Sequence, residues 1–466
     1  MQFKTVVLLI TLLFLILTGY FYSNKALSFK FVDEEDNFVF GKYLVWREKL
    51  YDDLLSNHQP VTFILSYIVQ EYTHPSNIYS LVTRHRQALI FWTFFWSLLL
   101  TYYFGVRTFF FVFFFELTKI YLLGNLFLAE SFVVYPLLFL VGLSIFIKRA
   151  LFKSELFILG TCLALSFFLL SPIWPVLLLL LILLILKQKN ISLLFLIPGF
   201  LIIALSIFIF SSAKGYLNFL FINLTYTLPS FQSDPLAPSI MKSFLSPVIS
   251  LFPAPLTPTL LIIRILTLIL IFNLFFSRKY KKGILILVIL GLTNLRFVYP
   301  GVEGYSGFHL LPWYGLFIFI TLLVTKLNKI NLATLIILMI FTLNFARGDL
   351  FVKDIKLEKY SINYATLESV GNIIKENKSK NSTLFVSPNE WLIYWQADIH
   401  HLPKLYGDYA WMAGYPPLYK KLKEAFEQNP PTFFYCANCK GLTLEKYLIK
   451  YNKLGNNLYI LSNPKN

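Results

Sequence analysis

Charge is scarce in this chain. Only 14% of its 466 residues are Asp, Glu, Lys or Arg, and the acids are the scarcer sign, 24 against 41 basic residues. Soluble globular domains devote roughly a quarter of their residues to charge. With 57% hydrophobic residues, 49 of the 466 being Phe, no soluble core could bury the apolar surface. Mean hydropathy is +0.65. The chain therefore reads as a polytopic membrane protein. Cysteine is nearly absent too, and three residues are too few for a disulfide framework. There is no glycine-rich phosphate loop, Walker motif, nucleophile elbow or internal repeat. The first two absences remove ATP as a driver.

What charge there is follows a pattern. Hydrophobic runs near 5–22, 88–105, 108–123, 131–147, 155–171, 175–186, 191–211, 259–277, 283–295, 308–325 and 331–346 give about eleven expected spans, several shorter than the roughly 20 residues a perpendicular helix needs. Alternate connections carry the cations: Arg107; Lys148, Arg149 and Lys153; Lys187 and Lys189; Arg278, Lys279, Lys281 and Lys282; Lys326 and Lys329. Their only acid is Glu155, at a boundary. By the positive-inside rule these connections are cytoplasmic. The protein is then expected in the cell membrane with its amino terminus cytoplasmic and 23–87, 212–258 and 347–466 outside. The net charge of +17 is a topology signal, and no nucleic-acid partner is expected. The first span lacks a clear small-x-small site before Asn24, so it is expected to be an uncleaved anchor rather than a signal peptide.

Four parts follow: an anchor at 1–22, an outer loop at 23–87, a transmembrane bundle at 88–346 that includes the proline-rich outer segment 212–258, and a carboxy-terminal outer domain at 347–466. In the last, 383–387, 432–436 and 457–461 read as strands and 365–377, 417–428 and 443–452 as helices, a small α/β domain. Cys162 reads as an apolar filler. Cys436 and Cys439 read first as a structural disulfide, with zinc binding and redox chemistry as weaker alternatives. His400-His401 lacks a second ligand pair nearby. The aromatic stretch 390–417 suits either sugar stacking or packing against the bundle.

The scarce acids cluster just past the anchor. FVDEEDNFVFG holds Asp33, Glu34, Glu35 and Asp36, followed by Gly41, then Tyr51-Asp52, then Asn57-His58-Gln59-Pro60. Further on come LVTRHRQALIF (81–91), LAESFVVYPLLFLVGLS (128–144) with Glu130, and GFHLLPWYGLFIF (307–319) with His309. This order resembles the GT-C superfamily of membrane glycosyltransferases, in the branch of protein O-mannosyltransferases and lipid A aminoarabinose transferases. In that branch an Asp-Glu pair follows the first span, and G-x-x-Y-x-D and N-K-x-P elements precede the second. Here the G-x-x-Y-x-D spacing is altered and His58 stands where a Lys is common.

The resemblance implies a GT-C type helical bundle and an inverting transfer on the outer face. A sugar would pass from a polyprenyl-phosphate donor to a lipid, protein or cell-wall glycan acceptor. The acceptor must lose a proton as it attacks, which a carboxylate can take. Asp33 is the expected base and Glu34 the fallback. Glu35 and Asp36 are expected to be solvated or helix-capping. Glu130 would orient the acceptor, support a metal, or be an ordinary interfacial charge. His58, Arg84, Arg86, Arg296 and the His309 region would meet the donor phosphate, for which the guanidinium fork is well shaped. Arg84 and Arg86 read equally as snorkelling cations. Glu116 and Lys119 share one helical face and read first as a mutually satisfied pair. No cofactor is certain, and a divalent metal ion is left open. The alternative reading is a transporter or flippase of lipid-linked glycans, against which the missing repeat and the position of the acids both count.

Overall fold

A computed structural model describes residues 2–187, 194–227, 240–252, 254–276, 278, 280–402, 415–437 and 443–462. Lys189, Pro229, Pro235, Pro238, Pro253, Lys279, Cys439 and residues 403–414 of the aromatic stretch lie outside the described residues.

The chain opens with α1 (Gln2–Asn24), the acidic α2 (Val32–Val45), α3 (Val61–Thr73) and α4 (Ile78–Phe104). Gly105, at φ +68°, separates α4 from α5 (Val106–Thr118). Then come α6 (Ala129–Val141), α7 (Lys153–Leu169), α8 (Trp174–Lys187), α9 (Leu196–Phe210) and α10 (Ala213–Ile222). Helices α11 (Pro258–Phe276), α12 (Tyr280–Thr293), α13 (Leu311–Val324) and α14 (Lys329–Asp349) complete the apolar region. The tail holds α15 (Lys356–Asn377), α16 (Leu392–Ala397), α17 (Pro416–Gln428) and strands β1 (Thr383–Ser387), β2 (His400–His401), β3 (Phe433–Cys436), β4 (Tyr451–Gly455) and β5 (Leu458–Leu461).

The chain is a helical membrane protein with a small carboxy-terminal sheet, but the expected eleven spans are not all there. Among the described residues six helices are long and apolar enough to cross a membrane: Phe3–Asn24, Ile78–Phe104, Ala129–Phe146, Pro258–Phe275, Gly304–Val324 and Lys329–Asp349. The other apolar runs fold into pieces of 13 to 17 residues, such as α5 and α7. At 1.5 Å per residue these reach about 20–26 Å, short of the ~30 Å hydrocarbon thickness. Hydropathy counts apolar residues whether or not one helix carries them, which is why the expectation overshot.

Two compact units emerge: residues 1–25, 86–205 and 238–354 form the first, and 26–85, 206–237 and 355–466 the second. In the first, Ala129–Phe146 and Gly304–Val324 bury 83% of their apolar 18-residue stretch, whereas Phe3–Asn24 and Lys329–Asp349 bury 28% of theirs. The former are core helices and the latter present apolar side chains outward, as lipid-facing helices do. Phenylalanine fills the core: Phe111 stacks on Phe115 at 5.3 Å and meets Phe319 edge-on at 5.7 Å. Glycines allow a close approach of α7 and α9. A Cβ on Gly160 would collide with the Leu196 carbonyl, and one on Gly199 with the Phe157 carbonyl. Close backbone approach through small residues substitutes for hydrophobic drive, which is absent between helices in lipid.

In the second unit α2 packs on α3, and again glycine sets the distance: a methyl on Gly41 would strike Ser66 and Gln70. Gln70 donates from Nε2 to the Phe38 carbonyl (2.7 Å) and accepts from Trp395 Nε1 (2.8 Å), so its buried amide is satisfied. The sheet runs β2-β1-β3-β5-β4, with β1 parallel to β2 and β3, and β5 antiparallel to β3 and β4. Phe385, Leu422, Phe426, Phe434, Tyr447 and Tyr451 pack around it. The three expected strands form. The expected helix at 443–452 does not: Glu445–Lys450 is a 3-10 turn and Tyr451 starts β4. A tight Gly455-Asn456-Asn457 turn, with Asn457 at φ +55°, folds β4 onto β5, and the ladder overrides the local helical pattern.

Candidate functional site

Three residues singled out in the sequence meet in the first unit. Glu130 sits in the first turn of α6, where the helix dipole favours an acid. His309 lies in the 3-10 segment Gly304–Leu310 that leads into α13, and its Nδ1 is 3.1 Å from Glu130 Oε1. Arg296 stands in the turn after α12 and lines the same narrow cleft with Leu170, Pro172, Thr293, Asn294 and Pro312. Asn294 holds that turn: its Oδ1 accepts from the Val298 amide (3.0 Å) and its Nδ2 donates to the Val298 carbonyl (3.1 Å) and Ser246 Oγ (3.2 Å). The cleft has room for about one water beside the three side chains. A carboxylate, an imidazole and a guanidinium drawn from segments up to 179 residues apart can bind an oxyanion and move a proton.

The acids past the anchor form the start of α2 in the second unit. Asp33 is half-buried, and its carbonyl accepts from Asn37 Nδ2 at 3.0 Å. Glu34, Glu35 and Asp36 are 1%, 1% and 3% exposed. This overturns the expectation that Glu35 and Asp36 are solvated, because α2 packs against α3 and α16 rather than into solvent. Neither Glu35 oxygen makes a well-formed hydrogen bond. Burial pushes its carboxyl well above the ordinary carboxylate range; the Lys30 ammonium pulls the other way without prevailing.

The remaining residues stand elsewhere. His58 is half-buried in the connection before α3; its amide donates to Ser56 Oγ (3.0 Å) and its carbonyl accepts from Tyr51 OH (2.8 Å). Asp52 accepts from the Ser212 amide (3.1 Å) and hydroxyl (2.9 Å), tying the loop to the amino-terminal cap of α10. Gly41, Tyr51 and Asp52 thus have structural work in this unit. Arg84 is exposed on α4, and Arg86 is 2% exposed. In the first unit Glu116 and Lys119 form a buried ion pair at 2.6 Å. Tyr135 OH donates to Glu116 Oε1 (2.5 Å) and Lys119 Nζ lies 3.4 Å from Thr93 Oγ1. Cys436 is disulfide-bonded and Cys162 is a free, buried thiol.

A cluster in the second unit was missed in the sequence. Glu48, just past α2, accepts from His401 Nε2 at 2.8 Å and lies 3.3 Å from His400 Nδ1. Burial pushes the Glu48 carboxyl up, but the hydrogen bonds and charges of the two histidines outweigh it and hold it below the ordinary range. Beside it Lys42 Nζ pairs with Asp398 Oδ1 at 2.6 Å. Burial lowers the Lys42 ammonium despite this partner, while for the more exposed Asp398 the two lysines, Lys42 and Lys378, outweigh burial and lower its carboxyl. Partners some 350 residues apart leave no local pattern to find. Among the described residues no group of three or more His, Cys, Asp or Glu side chains is arranged to hold a metal ion.

No family model matches the chain, and no curated protein matches it.

Proposed function

We propose that the protein is an integral membrane glycosyltransferase that moves a sugar from a polyprenyl-phosphate donor to a lipid, protein or glycan acceptor on the outer face, with inversion. The observation that carries this reading is the meeting of Glu130, Arg296 and His309 in one cleft of the first unit. Ionisable groups gathered at a membrane helix end are expensive to keep and mark function by default. In this reading Arg296 and His309 meet the leaving phosphate, whose growing charge fixed cations stabilise. Glu130 orients His309. Asp33, the half-buried first acid of α2, is a separate candidate to take an acceptor proton and is tested by its own variant. The basic connections support an arrangement with the amino terminus inside and 347–466 outside.

The test is transfer from a panel of radiolabelled polyprenyl-phosphate sugars in membranes holding the wild type, Asp33→Asn, Glu130→Gln or Arg296→Ala. One donor should be consumed by the wild type. Asp33→Asn should lose about 10²–10⁴-fold in rate, the span of a general base. Full activity of both Asp33→Asn and Arg296→Ala would overturn the assignment. Leaflet exchange of the labelled lipid without transfer would replace the enzyme with a transporter of lipid-linked glycans.

A further inference from the structure

The second unit holds a cavity that the transfer reading does not use. It has a volume of about 380 Å³ and is lined by Trp46, Lys378, Ser379, Lys380, Ser382, Asp398, Ile399 and His400, of which six are polar. The volume falls within the range of small-molecule sites, roughly 300–1,000 Å³.

Its walls are prearranged. Trp46, half-buried just past α2, lies 4.6 Å from the His400 ring between centroids, and Lys42 Nζ sits 5.1 Å from its own centroid. Asp398, at φ +54°, is held by Lys42 at 2.6 Å and Lys378 at 3.4 Å, and Lys378 also donates to its carbonyl. Ser379 and Ser382 face each other across a tight turn, with the Ser379 amide on Ser382 Oγ at 2.9 Å and the two hydroxyls 3.1 Å apart. His400 is anchored through Nδ1 to Glu48. Lys380 is exposed and makes no ion pair among the described residues.

The lining therefore mixes donors and acceptors around one aromatic plate. Sugar hydroxyls both donate and accept, so a carboxylate, two hydroxyls and ammonium groups suit them, while an aromatic ring takes the apolar face of a pyranose. A nucleobase would call for a second flat wall parallel to the first, and the His400 ring is tilted by 48° to Trp46. Two lysines against one aspartate leave the lining one positive charge in excess. We propose that this cavity is a binding subsite for a glycosyl group bearing one negative charge, a uronate or a sugar phosphate. Trp46 lies along the ring, Asp398 and the serines meet hydroxyls, and Lys380 meets the charge. This goes beyond the transfer reading and stands without it, because the test measures binding alone.

The experiment is saturation-transfer NMR and calorimetry on the full-length chain in nanodiscs, with glucuronic acid, glucose 1-phosphate, glucose and inorganic phosphate as probes. At least one charged sugar should saturate, and whichever of the two binds tighter identifies the source of the charge. Glucose should bind about threefold more weakly, the size of one partly exposed ion pair. Inorganic phosphate should be weaker by about tenfold, since it has no ring to stack. Lys380→Ala, an exposed change that leaves the packing alone, should remove the preference for the charged sugar and leave glucose binding unchanged. Trp46→Phe should retain most binding and Trp46→Ala should weaken every sugar while sparing phosphate. The proposal fails if no probe saturates, if glucose matches the charged sugars, or if phosphate binds as well as glucose 1-phosphate.

Discussion

Glu35 offers a test in which pH isolates one side chain. It is 1% exposed, neither oxygen makes a well-formed hydrogen bond, and burial lifts its carboxyl well above the ordinary 4.5 against the pull of Lys30 and the Leu392 amide. The folded chain thus keeps this proton at pH values where the unfolded chain has lost it. Stability must then fall as pH rises from about 4.5 to the folded value, by about 1.4 kcal/mol for each pH unit, and level off above it. Glutamine has the same shape and does not titrate. Near pH 4.5 and below, Glu35→Gln compares two neutral, equally unsatisfied side chains, so the two proteins should agree within about 1 kcal/mol.

Above that pH the variant should pull ahead, and the gap should widen with pH. Titrating groups that do not act on Glu35 cancel in the difference; Lys30, Glu34 and Glu390 are the ones that do act on it. The assay is thermal unfolding of both proteins in the same detergent at closely spaced pH values between 4 and 8. Each kcal/mol should appear as about 2–4 °C for a folding unit of this size. A gap that stays constant with pH, or one in which the variant falls behind as pH rises, would mean that the carboxylate is ionised and partnered, and the reasoning would be wrong.

The mirror case is Glu48, whose carboxyl is held low by His401 and His400, so its contribution is present above the ordinary range and lost as pH falls through the depressed value. Because Glu48 is partly exposed, Glu48→Gln should cost under about 1 kcal/mol at pH 7, and unfolding at acid pH should show no cost. Gly41→Ala should destabilise the α2–α3 contact by about 1–3 kcal/mol, because the new methyl meets Ser66 and Gln70; an unchanged unfolding temperature would refute the close approach. Gly160→Ala should push α7 from α9 at the Leu196 carbonyl and lower the unfolding temperature in detergent, whereas Gly348→Ala, helical with open space around its Cβ position, should not lower it.

Much of the architecture was legible because it rests on local signals. The strands at 383–387, 432–436 and 457–461 are apolar runs bounded by polar turns, and they form where the pattern puts them. The number of crossings was not legible. Whether an apolar run makes one long helix or a short one depends on breaks such as Gly105 and on burial against neighbours, neither of which hydropathy weighs. For the candidate cleft, residue identities were legible and their grouping was not. Glu130, Arg296 and His309 were each chosen for their chemistry, yet only the folded chain brings them to one cleft. Trp46, Glu48 and Asp398 were passed over because their partners lie far along the chain.

Rarity of charge is itself an ambiguous signal, and the structure separates its two meanings. Glu116 and Lys119 are three residues apart on one turn, and Arg149 and Glu155 are bonded at 2.6 Å across six. Such pairs explain themselves: a helix that must bury one charge places the counter-charge within reach, and nothing further is required of it. The cluster of Glu130, Arg296 and His309 has no such local reason. Three segments must fold correctly before these side chains meet, and they meet at a cleft rather than in a sealed core. A structural need for charge balance at Glu130 could have been met by a lysine one turn along α6, where the chain instead has Val133 and Val134. The longer route to the same neutralisation is the reason to look for function in this cleft before looking at Glu116 and Lys119.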